Sequence, residues 1–195
     1  ENNIGYVKIN KFSKFTSDYF KKAVEGMDSF GMEGLIIDLR SNGGGLLRQA
    51  TNILDYLLDK DLNNPMLVRK GRSSIRNYYS KDDPIITTSI PIIVMQNGRS
   101  ASASEIVSGV LQDLDRAVIL GENSFGKGLV QITKTINDSL KLKVTTAKYY
   151  LPSGRLIQKF DYHGDGSLTD GLNKKDSIFY SANGREIMGG GGITP

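Results

Sequence analysis

Between Gln96 and Gln131 the chain runs QNGRSASASEIVSGVLQDLDRAVILGENSFGKGLVQ, and three signals follow one another there. A run of small residues opens an expected helix, with Ile106, Val107, Val110 and Leu111 at helical spacing from Ala103 onward and Ser102 or Ser104 where an N-cap belongs. Ala117–Gly121 (AVILG) then reads as a buried strand. Lys127 follows, flanked by Gly126 and Gly128. The serines offer a nucleophile and the lysine a base. The chain has no cysteine and one histidine, His163, so a thiolate nucleophile is excluded and a Ser/His arrangement has a single candidate. A lysine serves as a general base only when held neutral, and lowering its pKa from about 10.4 to about 7.5 costs roughly 4 kcal/mol.

Working outward, Pro91–Met95 (PIIVM) reads as a short buried strand that ends in the Asn97-Gly98 turn signal. Ile4–Ile9 is expected as a first strand, followed by a helix capped at Thr16 or Ser17 and running to about Phe30, with Phe20, Ala23, Val24 and Met27 on its apolar face. Leu35–Leu39 (LIIDL) is an apolar run interrupted only by Asp38, as in a strand buried on both faces. It leads through Arg40-Ser41-Asn42-Gly43-Gly44-Gly45 into a helix with apolar positions Leu47, Ala50, Leu54, Leu57 and Leu58, which makes a βαβ-type unit. Adjacent glycines let backbone N–H groups approach an anion or a developing oxyanion, and a plain tight turn is the competing reading. Residues 63–89 read as an irregular connection with short strand candidates at Met66–Arg69 and Ile75–Tyr79. From Leu129 the period becomes two, which predicts a hairpin turning at Asn137-Asp138. Asp161–Lys175 is a polar loop, and the terminal GGGGITP is a flexible approach to a strand that the chain does not complete.

At 195 residues the chain suits one domain, residues 1–195, that needs neither a disulfide nor a structural metal. With 38% hydrophobic and 24% charged residues it is neither disordered nor a membrane protein by composition, and no apolar run reaches the roughly 20 residues that span a bilayer. A chain opening on Glu1 reads as a fragment or a processed form. Its net charge of +4 comes from 25 basic and 21 acidic residues that are dispersed along the sequence, so no nucleic-acid partner is expected.

Several motifs fail on inspection. Gly121–Gly128 (GENSFGKG) approximates a phosphate-binding loop, but Gly128 stands where a magnesium-binding hydroxyl belongs and a strand pattern follows it. Ser124-Phe125-Gly126-Lys127 is a literal S-x-x-K without the helix or the companion motifs that this chemistry uses. Asp161, His163, Asp165 and Gly166 hint at a calcium loop, yet Leu172 occupies the position of the closing glutamate, and His163 has an exposed, functionless side chain as its default reading.

What remains is a serine at the head of the helix with Lys127 as its base. Ser100-Ala-Ser102-Ala-Ser-Glu105, Gln112-Asp113, Gly121–Gln131 (GENSFGKGLVQ), Thr146–Arg155 (TAKYYLPSGR) and Asp38–Gly45 (DLRSNGGG) together resemble the C-terminal processing (tail-specific) protease family, in order and spacing. The resemblance implies an α/β, ClpP/crotonase-like core of βα units with an additional antiparallel hairpin. It implies a serine-lysine peptidase with Ser102 as nucleophile, Lys127 as base, Gln131 orienting the lysine, and Asp113 as an accessory position. The oxyanion hole implied is the N–H of Ala103 with a glycine of the D-L-R loop, Gly44. No metal and no cofactor are implied; the partners are protein or peptide substrates, cleaved near their C-termini, in a bacterial cell envelope or periplasm, with the full-length protein associated with the membrane. Gly43 stands where many relatives have proline, and the PDZ domain that precedes this core in relatives has no counterpart in these residues. From the residues themselves, a serine at a helix N-terminus sits in the positive end of the helix dipole, and Gln131, an even number of positions from Lys127, is expected on the same strand face. Two other functions fit the same residues: a peptide- or ligand-binding module that has lost hydrolysis, and an acyl-CoA enzyme of the crotonase type.

Overall fold

The computed structural model describes residues 3–60, 62–160 and 177–195. Four strands, β1 (Ile4–Lys8), β2 (Gly34–Asp38), β5 (Ile92–Gln96) and β6 (Ala117–Gly121), form an all-parallel sheet in the order β1-β2-β5-β6. Parallel neighbours need crossovers, and helices α1 (Thr16–Ser29), α2 (Leu47–Asp55) and α3 (Ala103–Asp113) lie between them in sequence. The core is the inner face of this sheet, where Leu35, Ile37, Ile92, Val94 and Ile119 are buried with Val24, Ile53, Leu54, Val107 and Val110 of the helices. Phe20 and Val24 carry the inner face of α1 and Met27 is half-buried, whereas Ala23 is exposed.

The α/β class is as expected; three details differ. β2, read as buried on both faces, is buried or half-buried at every position, but β5 and β6, read as buried strands, are covered on one face only and expose Ile93, Val118 and Leu120 on the other. The N-cap of α1 is Phe15 rather than Thr16 or Ser17, because the Thr16 hydroxyl is spent on donating to Lys11 O and accepting from Ser13 N. And the two strand candidates of the irregular connection, β3 (Leu67–Gly71) and β4 (Ile75–Tyr78), join the hairpin of β7 (Leu129–Thr135) and β8 (Lys141–Tyr150) in a second, antiparallel sheet, ordered β4-β3-β8-β7.

A short pair, β9 (Ile178–Tyr180) and β10 (Glu186–Met188), precedes the terminal glycines. Those glycines do not lead to a loose end. Ile193 is fully buried; its carbonyl accepts from Ser124 N at 3.1 Å and from Gln96 Nε2 at 2.7 Å, and its N–H donates to Ser124 Oγ at 2.7 Å. The end of the chain thus pins the loop that carries Lys127. Among the described residues no helix is long and apolar enough to cross a membrane, and no cluster of His, Asp or Glu is placed to hold a metal ion. His163 and the Asp161–Gly166 segment lie outside the described residues.

Candidate active site

Ser102 is the N-cap of α3 and, among the described residues, one of three non-glycines with positive φ, at φ 57° and ψ −112°. Such a backbone costs on the order of 1–3 kcal/mol and persists only when its surroundings hold it. They do so from three sides. Ile106 N donates to Ser102 O at 3.0 Å, starting the helix. Asn42 O accepts from Ala101 N at 3.0 Å and from Ser104 Oγ at 2.8 Å, while Ser100 Oγ donates to Leu39 O at 2.8 Å. The serines on either side of Ser102 are therefore buried fasteners between the serine turn and the glycine loop. Ser102 is the one left at the tip.

The glycine loop is fixed in turn from β2. Asp38 is fully buried; it accepts from Arg40 Nε at 3.0 Å, Arg40 Nη2 at 2.8 Å, Arg40 N at 2.9 Å and the Tyr6 hydroxyl at 2.6 Å. The Arg40 guanidinium holds the Asp38 carboxyl far below the usual carboxylate range. Downstream, Gly44 has φ +94°, and a Cβ there would lie 2.6 Å from Ala101 O and 2.9 Å from both Ala103 N and Ser102 Cβ. Only glycine permits that approach. Ala103 N–H is among the first N–H groups of α3, which have no acceptor within the helix, and among the described residues none is paired with it. Gly44 N–H points elsewhere, donating to Asn42 Oδ1 at 2.9 Å.

The lysine is brought in by a residue that the sequence reading passed over. Glu105, at N3 of α3, is fully buried and its carboxylate accepts four hydrogen bonds. Oε1 takes Ser124 Oγ–H and Gly126 N–H, both at 2.6 Å; Oε2 takes Ser102 N–H and Lys127 N–H, both at 2.8 Å. One oxygen atom thus holds the backbone nitrogens of Ser102 and Lys127, which confines them to within twice that bond length of each other. Burial pushes the Glu105 carboxyl up, and the four donors oppose that shift. The Ser102-x-x-Glu105 spacing is a capping-box signature and was the available signal. What it does not reveal is that the glutamate accepts from three more donors, on Ser124, Gly126 and Lys127, across the fold.

The remaining candidates lie as follows. Ser124, the serine of the S-x-x-K match, is buried and engaged by Glu105 and Ile193, and Lys127 is followed by β7 rather than by a helix. Lys127 is half-buried and lies two residues before β7, and a bulge between Val130 and Gln131 shifts the alternation. Even spacing therefore does not by itself put Gln131 and Lys127 on one face; Gln131 is exposed and its Nε2 reaches Thr145 Oγ1 at 3.5 Å. Asp113 closes the far end of α3, ten residues or about 15 Å along the helix from Ala103. There it forms a buried ion pair with Arg155 at 2.7 Å and accepts from Ser153 N at 3.0 Å, while Arg155 also donates to Gln112 Oε1 and Met188 O, each at 2.7 Å. Burial pushes the Asp113 carboxyl up and the Arg155 guanidinium down, and each partner's charge opposes the other's shift.

The sequence pattern of peptidase family S41 matches residues 3–165. The chain belongs to this family. A carboxy-terminal-processing protease of Bartonella bacilliformis is 41% identical over 162 residues, which cover 81% of this chain and 37% of that protein. A chloroplastic C-terminal processing peptidase of Tetradesmus obliquus is 34% identical over 165 residues, 85% of this chain and 35% of that protein. Among solved structures, a photosystem II D1 C-terminal processing protease superposes with a TM-score of 0.71 at 35% identity, over 80% of this chain and 39% of that one. This S41 chain therefore spans little more than a third of the length of these relatives.

Proposed function

We propose that the chain is the core of a serine endopeptidase in which Ser102 attacks and Lys127 acts as general base, on protein substrates cut near their C-termini. The observation that carries the reading is the shared Glu105 Oε2, which keeps the serine and lysine backbones together although 25 residues separate them. In this mechanism the Lys127 amine takes the Ser102 hydroxyl proton as Oγ attacks the scissile carbonyl carbon. The negative charge that develops on the carbonyl oxygen faces Ala103 N–H and the positive end of the α3 dipole. The lysine then gives its proton to the leaving amine as the C–N bond breaks, and water, deprotonated by the same amine, clears the acyl-enzyme. A second oxyanion donor at Gly44 requires Asn42 Oδ1 to release that N–H, and an orienting role for Gln131 requires its amide to turn from Thr145. Asp113 acts by holding the far end of α3 to Arg155, not by touching substrate.

Those two engaged groups also favour a second reading, in which the chain binds peptides without cutting them. Turnover decides between the two. An unfolded protein substrate is digested by the wild-type chain joined to the remainder of its full-length protein, and Ser102→Ala or Lys127→Ala abolishes digestion. Digestion that survives either substitution overturns the dyad, and peptide binding without turnover in the wild type selects the second reading. The relatives named above come from bacteria and chloroplasts, and a bacterial envelope is the compartment proposed here.

A further inference from the structure

Part of the basic charge that is dispersed in the sequence is gathered in space. The four strands of the second sheet carry seven lysines and arginines and no aspartate or glutamate, which leaves the rest of a chain of net charge +4 with a negative balance. Three of them cluster on the β7–β8 hairpin: Lys134 on β7, and Lys143 and Lys141 on β8 opposite Thr133 and Thr135. All three are exposed, and none is in an ion pair among the described residues. From the pairing register, Lys141 and Lys143 share a face with Gln131 and Thr133, whereas Lys134 shares the other face with Ile132, Leu142 and Val144. Those three apolar side chains are 37–50% exposed. β7 ends the sheet, so its outer edge is unpaired among the described residues, and it starts two residues after Lys127. It is an open strand edge leading away from the proposed catalytic site, cationic on one face and mixed apolar-cationic on the other.

We infer that this edge receives an extended stretch of substrate in which acidic and apolar residues alternate. A strand added along β7 places successive side chains on opposite faces: acidic ones lie beside Gln131, Thr133 and Thr135 and reach across them to Lys143 and Lys141, one strand further on, while apolar ones lie beside Ile132, with Val144 and Leu142 beyond it. Both strands rise about 3.3 Å per residue, which sets the acidic positions roughly six to eight residues from the scissile bond. A flat anionic surface, by contrast, meets only one face of the hairpin and leaves the lysines of the other unused. Naming the bound segment as substrate rests on the Ser102–Lys127 reading; the binding itself does not.

The test is fluorescence anisotropy with the Ser102→Ala chain and three labelled twelve-residue peptides: alternating Glu and Val, alternating Lys and Val, and the Glu/Val composition in two blocks. The alternating acidic peptide is expected to bind about tenfold more tightly than the lysine peptide, with the blocked one between, and the gap closes as salt rises from about 50 to about 500 mM. Lys141→Glu with Lys143→Glu is expected to reverse the preference, while circular dichroism shows the fold unchanged. Equal binding of the acidic and lysine peptides, or a preference untouched by the double variant, overturns the inference. So does stronger competition by anionic lipid vesicles or a single-stranded oligonucleotide than by unlabelled acidic peptide, which would assign the surface to that partner. If the peptide binds as expected but the wild-type protein never cleaves it, the catalytic reading fails and this one stands.

Discussion

Replacing Glu105 with glutamine keeps its shape and removes its charge, and the four hydrogen bonds allow the effect to be worked out. In one amide orientation the NH2 group takes the place of Oε2 and faces Ser102 N–H and Lys127 N–H, stranding both donors. In the other it takes the place of Oε1 and faces Gly126 N–H and the Ser124 hydroxyl; that hydroxyl can turn to accept, but one backbone N–H is still stranded. A stranded buried donor costs about 1–3 kcal/mol, so the turn holding Ser102 and the loop holding Lys127 are driven apart by at least that amount. If 1.4–2.8 kcal/mol of it appears in the barrier, attack by the Ser102 hydroxyl slows about 10- to 100-fold. The assay is the second-order rate of labelling by a fluorophosphonate, with melting temperature recorded beside it. The pH dependence separates charge from shape. Because burial raises the Glu105 carboxyl above its unfolded value, its stability contribution is fully present below the unfolded value and is lost as pH rises through the folded one. Holding four donors requires the ionised form, so labelling should rise with pH over the window in which this contribution falls. Glu105→Gln should lack both trends. A variant that labels within twofold of wild type refutes the idea that this carboxylate sets the relation of serine to lysine.

Three further outcomes follow from the geometry. Gly44→Ala drives a methyl group against Ala101 O and Ser102 Cβ and should cut labelling at least tenfold, whereas Gly43→Ala, with no atom within 4 Å of its added carbon, should label as wild type does. Asp113→Ala leaves Arg155 buried and unpaired, at a cost of about 3–5 kcal/mol, and should lower the melting temperature by about 10 °C, read by circular dichroism. Below that temperature Ser102 should still label at near the wild-type rate; a dead but folded variant would put Asp113 in the chemistry. For Asp38→Asn, urea unfolding at pH 7 should show a loss of about 1–2 kcal/mol. Because Arg40 lowers the Asp38 carboxyl, that contribution is present above the unfolded value near pH 4 and disappears on further acidification, so the gap between wild type and variant should close at low pH.

The parallel sheet was legible because its strands are apolar runs and its helices carry 3.6-residue stripes, both local signals. Ala117–Gly121 and the start of α3 at Ala103 stand where the sequence places them. The second sheet was not legible as a sheet: β3 pairs with β8, about 80 residues away, and no local pattern encodes a partner at that distance. The same holds for the charge, since Lys70 comes opposite Lys148, and Lys134 comes beside Lys141 and Lys143, only after those strands pair. At the site, the residue types and their order pointed to Ser102 and Lys127, but the positive φ of Ser102, the burial of Glu105 and the anchoring of Ile193 are tertiary facts. Asp113 shows the converse: its neighbour Gln112 and its place on α3 are plain in sequence, while Arg155, its buried ion-pair partner, is 42 positions away.

The central claim, that Ser102 is the nucleophile and Lys127 its base, is tested most directly by mapping a fluorophosphonate adduct by peptide mass spectrometry in wild type, Ser102→Ala and Lys127→Ala. The account predicts an adduct on Ser102 in the wild-type chain and none in either variant, with all three equally folded. An adduct on another serine, or full labelling of Ser102 when the Lys127 amine is gone, contradicts it.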